Sequence, residues 1–199
     1  MIKNNLRKAD LKQIRASSIN SKGATVTNKT RVNHDSAART ANGFHSAAIL
    51  LHKSSEWLLR AVPKGQSQDK QTIESVVQLL GHTSASVVLH AFSIEVLLKA
   101  LHGKSSQSPP PIHHLGKLFS GLSTATQTAV ERLYANRLKA HESHTGVGLT
   151  GTLSALLNES ANAFEKWRYN YEGNNTALSA RVGELQMAFE ALYEQYIAP

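Results

Sequence analysis

The segment His90–His102, HAFSIEVLLKALH, decides the fold of this 199-residue chain. In and just before it, apolar residues recur at helical spacing on most sides, as expected of a helix at the centre of a helical domain. These residues are Val87, Val88, Ala91, Phe92, Leu97, Leu98 and Leu101. The pattern predicts a central core helix and, with the flanking segments, an all-α fold.

Helical patterns continue on both sides of this segment. Apolar spacing predicts helices over about 42–62, 69–81, 84–102, 112–121, 123–141, 152–168 and 177–197. Gly81 is predicted to stop the second helix, with Thr83 or Ser84 capping the third. Ser123 is predicted to cap the fifth, and the proline run 109–111 predicts a loop before the fourth.

The charge of the chain is concentrated near its N-terminus. The net charge is +8, and residues 1–40 hold nine Lys and Arg against Asp10 and Asp35, a net of +7. We therefore expect a basic, flexible arm over 1–40 and a helical domain over 41–199. The arm is either a solvated tail or a segment that contacts phosphates, since Lys and Arg release counterions from nucleic acids whatever their sequence.

Composition excludes several classes of site. The chain has no cysteine, which rules out disulfides and zinc–thiolate centres. No apolar run approaches the roughly 20 residues of a membrane span, and the N-terminus lacks the pattern of a secretory signal. We therefore expect a cytoplasmic protein that does not enter a membrane and has no cofactor.

Glu95 and Lys99 are the charged residues of the central helix. They stand four apart with the acid first, the favourable order for a helical ion pair. Alternatively, Glu95 meets a polar partner from another segment, such as Arg168, because a carboxylate in a helical core needs one.

Two later segments also carry polar groups suited to chemistry. His113–Phe119, HHLGKLF, opens with paired histidines, of which His113 is either a helix cap or a ligand-binding residue. Phe164–Glu172, FEKWRYNYE, places Arg168 among aromatic rings. An arginine there can stack on the rings while its guanidinium binds a carboxylate or a phosphate.

Taken in order, these three segments resemble the HEPN family, small all-helical domains of prokaryotic ribonuclease toxins, defence proteins and nucleotidyltransferase partners. The resemblance covers about residues 42–197, with His114 where the family often has an aspartate. It implies an up-and-down bundle that binds RNA or a nucleotide and pairs with a second copy or another protein of its system. The implied ligand-binding residues are Glu95, Lys99, His113, His114, Arg168, Tyr169 and Tyr171.

HEPN ribonucleases carry an arginine and, after four to six intervening residues, a histidine. The imidazole moves the proton of a ribose 2′-hydroxyl while the guanidinium stabilises charge on the phosphate, and no metal is required. After Arg168 those positions hold Gly173, Asn174 and Asn175, so the usual histidine is missing. By count alone, Arg137 with His144 and Arg39 with His45 are alternative pairs, and His141 with His144 has metal-ligand spacing but is better explained as a surface pair.

Three functions are consistent with these observations. The first is a HEPN-like module of a defence or toxin–antitoxin-type system that binds RNA, a nucleotide or a partner protein without the usual catalytic histidine. The second is an active, metal-independent endoribonuclease using Arg168 or Arg137 with one of the four later histidines. The third is a purely structural or regulatory helical protein.

Overall fold

A computed structural model describes residues 34–61, 70–105, 108–161 and 181–198. All regular elements in these ranges are helices, which confirms the all-α prediction for this part of the chain. We number them α1 (His34–Ala61), α2 (Lys70–Lys104), α3 (Leu115–Ser120), α4 (Thr124–Thr145), α5 (Leu153–Glu159) and α6 (Val182–Ile197).

Helix α2 is the central element of the described fold. It packs along α1 and also contacts α3 and α6. Its Ile94, Leu97 and Leu98 are fully buried, as the apolar pattern on most sides of 90–102 predicted. The other helices complete one hydrophobic core around it, with Val130, Tyr134, Leu156, Leu157, Phe189 and Leu192 among the buried residues.

The predicted break at Gly81 is wrong, because α2 runs without interruption from Lys70 to Lys104. Gly81 does not adopt a positive φ, and a glycine inside a helix costs only about 1 kcal/mol relative to alanine. Packing against α1 offsets that cost: the buried Ser86 Oγ donates to the Ala48 carbonyl at 2.9 Å. Thr83 and Ser84, expected as caps, therefore lie inside the helix.

The continuity of α2 also revises the expectation about membrane spans. By length and composition alone, Ile73–Lys104 is long and apolar enough to cross a membrane. The core helix of a water-soluble protein passes the same test, and 56% of the qualifying window is buried inside the protein. The expectation that the chain does not enter a membrane therefore stays a prediction.

The boundaries of several helices differ from those predicted. Helix α1 begins at His34, and Ala38 and Ala41 belong to the core, so the helical domain starts no later than His34 instead of at residue 41. Helix α4 continues past the predicted end near 141 to Thr145, where Gly146 terminates it with a φ of 71°. The predicted helix segments over 162–168 and 177–180 lie outside the described residues.

Side-chain caps fix the starts of α4 and α5. Ser123 Oγ accepts from the Thr126 N–H at 3.2 Å, as predicted, and Thr152 Oγ1 accepts from the Ala155 N–H at 3.1 Å. Glu131 of α4 adds a second cap to α5 by accepting from the N–H groups of Leu153 and Ser154, both at 2.9 Å. An acidic group at a helix N-terminus also matches the helix dipole, so Glu131 holds α5 against α4.

Helix α3 is shorter than the predicted 112–121 and is held against two neighbours. The buried His102 Nε2 lies 2.8 Å from the Leu118 carbonyl, which joins α2 to α3. On its other side Gly116 lets α3 approach α5: a Cβ at this position would overlap Oδ1 of Asn158 and lie 2.6 Å from its Cγ. The lack of a side chain at Gly116 therefore leaves room for the Asn158 side chain between α3 and α5.

Two glycine substitutions test this account of the fold. Gly81→Ala should stabilise the protein by about 0.5–1 kcal/mol, because alanine is the better helix former and nothing lies within 4 Å of the new Cβ. Gly116→Ala should instead destabilise it, because the new Cβ displaces Asn158. Urea unfolding of both variants checks the pair. Destabilisation by Gly81→Ala would contradict a continuous α2, and stabilisation by Gly116→Ala would contradict the close α3–α5 contact.

Candidate functional site

Glu95 is the centre of a polar cluster on α2. Its Oε1 accepts from Lys99 Nζ at 2.7 Å and from His113 Nδ1 at 2.9 Å. The ion pair predicted from the spacing of Glu95 and Lys99 is thus confirmed. The structure also brings together two of the three segments singled out in the sequence, 90–102 and 113–119.

The loop before α3 brings His113 to Glu95. Its prolines prevent a helix here, and the Ile112 N–H bonds to the Pro110 carbonyl at 2.8 Å, which turns the chain just before His113. The His102–Leu118 contact then fixes α3 on α2. His113 is therefore held over Glu95 although 18 residues separate them in the sequence.

The geometry of the Glu95–His113 contact determines which ring nitrogen is available. A carboxylate accepts hydrogen bonds and donates none, so Nδ1 of His113 must be the donor. Nε2 then remains for a ligand or for proton exchange. The Glu95 side chain is only 13% exposed, whereas the His113 side chain is 80% exposed. The cluster thus presents an imidazole to solvent on a nearly buried carboxylate, with the Lys99 ammonium beside it.

His114, and not His113, caps α3. Its Nδ1 accepts from the Lys117 N–H at 3.3 Å, so the imidazole takes the capping position that an aspartate would otherwise fill. The capping role considered for His113 is therefore wrong, because the helix begins one residue later than that role requires. His113 is consequently free to contact Glu95.

Arg137 is held by carboxylates of α6. Its Nη1 donates to Glu190 at 2.7 Å and its Nη2 to Glu194 at 2.8 Å. His144 is exposed in the last turn of α4, and within the described residues no hydrogen bond joins it to Arg137. The structure therefore uses Arg137 to hold α4 against α6 and does not bring it together with His144.

The other predicted arginine–histidine pair, Arg39 with His45, is not brought together either. Arg39 is exposed whereas His45 is buried against Phe189 of α6, so the two do not share a surface. Across the described ranges, no three His, Cys, Asp or Glu side chains are arranged to hold a metal ion. Arg168, Tyr169 and Tyr171 lie outside the described residues, and so does the suggested contact between Arg168 and Glu95.

A second polar cluster was not predicted from the sequence. Arg181 donates to Glu184 through Nε and Nη2, each at 2.5 Å, and also to Glu159 at the end of α5. The hydrogen bonds with Glu184 are the main cause of a raised Arg181 pKa. Nearby, burial raises the pKa of the Tyr134 phenol to about 12. The cluster ties α5 to the start of α6, and the Arg181–Glu184 spacing of three residues was its only signal in the sequence.

The tautomer of His113 provides a test of the Glu95–His113 contact. In the wild-type protein at neutral pH we expect the neutral His113 ring to carry its proton on Nδ1, because Glu95 accepts from that atom. Glu95→Ala should return the ring to a mixture of tautomers. Long-range ¹H–¹⁵N spectra of the histidine rings distinguish these states, with the exposed His144 as internal reference. An unchanged His113 spectrum in the variant would refute the contact.

Comparison with known proteins does not identify a family. A scan against protein-family models finds no match, and searches of curated proteins and of solved structures find no significant similarity.

Proposed function

We propose that this chain is a HEPN-like RNA-binding module of a bacterial defence or toxin–antitoxin-type system. Its binding surface would be the cluster of Glu95, Lys99 and His113, and it would lack the usual catalytic histidine. The observation that carries the proposal is the meeting of His113 with Glu95, since it joins two of the three segments on which the resemblance rests.

The form of the cluster favours RNA over a small ligand. Sites for small molecules are concave and bury most of the ligand, whereas His113 is 80% exposed. An exposed imidazole beside an ammonium suits the phosphates of an extended chain, which reach such groups without entering a cavity. Glu95 orients both groups, and its negative charge distinguishes the cluster from a purely positive patch.

The charge distribution also supports RNA as the ligand. Nine Lys and Arg lie in residues 1–40, and together they would add affinity that does not depend on RNA sequence. The cluster on α2 would then supply a localised contact in addition to this general attraction. A second copy or a partner protein, and a cytoplasmic location, belong to the same proposal through the HEPN resemblance.

A metal-independent endoribonuclease is the second candidate, and the Glu95–His113 contact favours it specifically. With Nδ1 bound to a carboxylate, Nε2 of His113 can remove the proton from a ribose 2′-hydroxyl. The 2′-oxygen would then attack the adjacent phosphorus, and the 5′-oxygen would leave with a proton from water. The products are a 2′,3′-cyclic phosphate and a 5′-hydroxyl, and Lys99 would stabilise the charge that develops on the phosphate.

Binding to a labelled single-stranded RNA tests the proposed surface. Lys99→Gln should weaken binding and lower the slope of log affinity against log salt concentration by about 1, as for the loss of one phosphate contact. Lys139→Gln, which removes the same charge from an exposed position on α4, is the matched control and should change both quantities less. Equal effects of the two substitutions would mean that RNA does not select the cluster on α2.

Substitutions in the basic segment separate its contribution from that of the cluster. Replacing Lys3, Arg7, Lys8, Lys12 and Arg15 by glutamine should lower RNA affinity and reduce the salt slope by up to about 4, if each residue contacts one phosphate. The folded domain should be unaffected, which circular dichroism would verify. An unchanged salt slope would show that these residues are a solvated tail.

Cleavage of RNA in the presence of EDTA distinguishes the two candidate functions. As a binding module the wild-type protein should leave RNA intact. Cleavage that produces 2′,3′-cyclic phosphate ends, and that is lost in His113→Ala but kept in His144→Ala, would establish the endoribonuclease. Arg168→Ala in the same assay would show whether the guanidinium expected from the HEPN resemblance takes part. If the protein neither binds nor cleaves RNA, a structural role is the remaining candidate function.

A further inference from the structure

Two buried histidines that carry unpaired ring nitrogens, as far as the described residues show, lie where α1, α2 and α6 meet. His90 is completely buried, and neither of its ring nitrogens has a partner among the described residues. His45 is 7% exposed, and its Nδ1 also lacks a partner there. Unpaired polar atoms in a core cost free energy that an apolar side chain of similar size would not, so packing alone does not explain these two residues.

The two rings contribute to the contact between the three helices. His45 of α1 stacks on Phe189 of α6, with ring centroids 3.8 Å apart and planes 12° from parallel. It meets His90 of α2 edge to face at 5.1 Å. Such contacts are favourable between neutral, apolar ring faces, whereas two protonated rings at this distance repel each other. This part of the packing of α1 therefore depends on the charge of both histidines.

The charged groups around the pair give only partial compensation for a proton. On α1, His52 adds to the repulsion that His90 would experience. On α6, Glu190 favours a proton on His45, yet Arg137 of α4 already donates to this carboxylate at 2.7 Å and Gln186 at 3.1 Å. Burial is the main influence on the pKa of both rings. It lowers the pKa of His45, and it lowers the pKa of His90 to about 3.

We propose that His45 and His90 form an acid-sensitive lock, in which the neutral rings hold α1 against α2 and α6 and their protonation opens this junction. The inference goes beyond the proposed function and does not depend on it. An apolar pair would join the helices equally well at every pH, whereas a histidine pair makes the junction respond to acid.

The direction and size of the response follow from proton linkage. Above pH 6.5 the rings are neutral whether the junction is closed or open, so protons do not favour either state. Below pH 6.5 an exposed histidine takes up a proton while the buried His90 does not. Each further pH unit therefore raises the opening constant about tenfold for His90, until its own pKa is reached. His45 acts in the same direction.

Hydrogen exchange of the full chain at pH 7.5 and pH 5.0, with times corrected for intrinsic exchange rates, tests the lock. We expect protection of α1 (His34–Ala61) to fall about 30-fold or more at pH 5.0, while α4 (Thr124–Thr145) changes much less. Unchanged protection of α1, or an equal loss in both helices, would overturn the proposal.

A double variant connects the response to the two rings. His45→Phe combined with His90→Leu should reduce the change in α1 protection to under about threefold. His144→Gln, which alters an exposed histidine, should behave like the wild-type protein. A 30-fold change that persists in a folded double variant would also overturn the proposal. If the double variant does not fold, the wild-type comparison of α1 with α4 still decides.

Discussion

The burial of the second half of one continuous helix, α2, is the constraint on which the described structure depends. With 35 residues it is about 50 Å long, and it contacts α1, α3 and α6. Its fully buried residues form the middle of the core, and Lys104 at its end donates to the Tyr196 and Ala198 carbonyls at the C-terminal end of α6. The positions of α1, α3 and α6 are therefore defined relative to α2.

Two kinds of polar group lie on this helix, and their surroundings differ. Glu95 lies near the surface of the fold and has two hydrogen-bonding partners, Lys99 and His113. His90, five residues earlier, is fully buried and has none among the described residues. A paired carboxylate at a surface can orient groups for a ligand, whereas an unpaired ring in a core makes the packing around it sensitive to protons. One helix thus carries a candidate binding site and a candidate acid sensor.

Local sequence patterns predicted much of the fold. The apolar residues of 87–101, the Ser123 cap and the Glu95–Lys99 pair depend on spacing within a single helix, and all three are present. The break at Gly81 was wrong because packing of α2 on α1 is a tertiary effect that outweighs the weak helix preference of one glycine. The start of α1 was missed for a similar reason, since small residues such as Ala38 and Ala41 enter the core only beside a close neighbour.

The candidate site was predictable only in part. Histidines 113 and 114 stood out as a pair, but which of them caps α3 and which meets Glu95 depends on the turn at Pro110 and on the His102–Leu118 contact. The contact of His45 with His90 depends on the register between α1 and α2, which spacing within either helix does not determine. Arg137 has a suitable spacing to His144, yet the carboxylates that hold it come from α6, more than 50 residues away.

The most direct test of the central claim is a hydrogen-exchange footprint of RNA on the full chain. If the cluster on α2 is the binding surface, added RNA should slow exchange in peptides covering 112–117 and the second half of α2. Peptides from the exposed face of α4, around Arg132 and Lys139, should be unaffected. Slowed exchange confined to α4, or to residues 1–33, with none at 112–117, would contradict the assignment of the site.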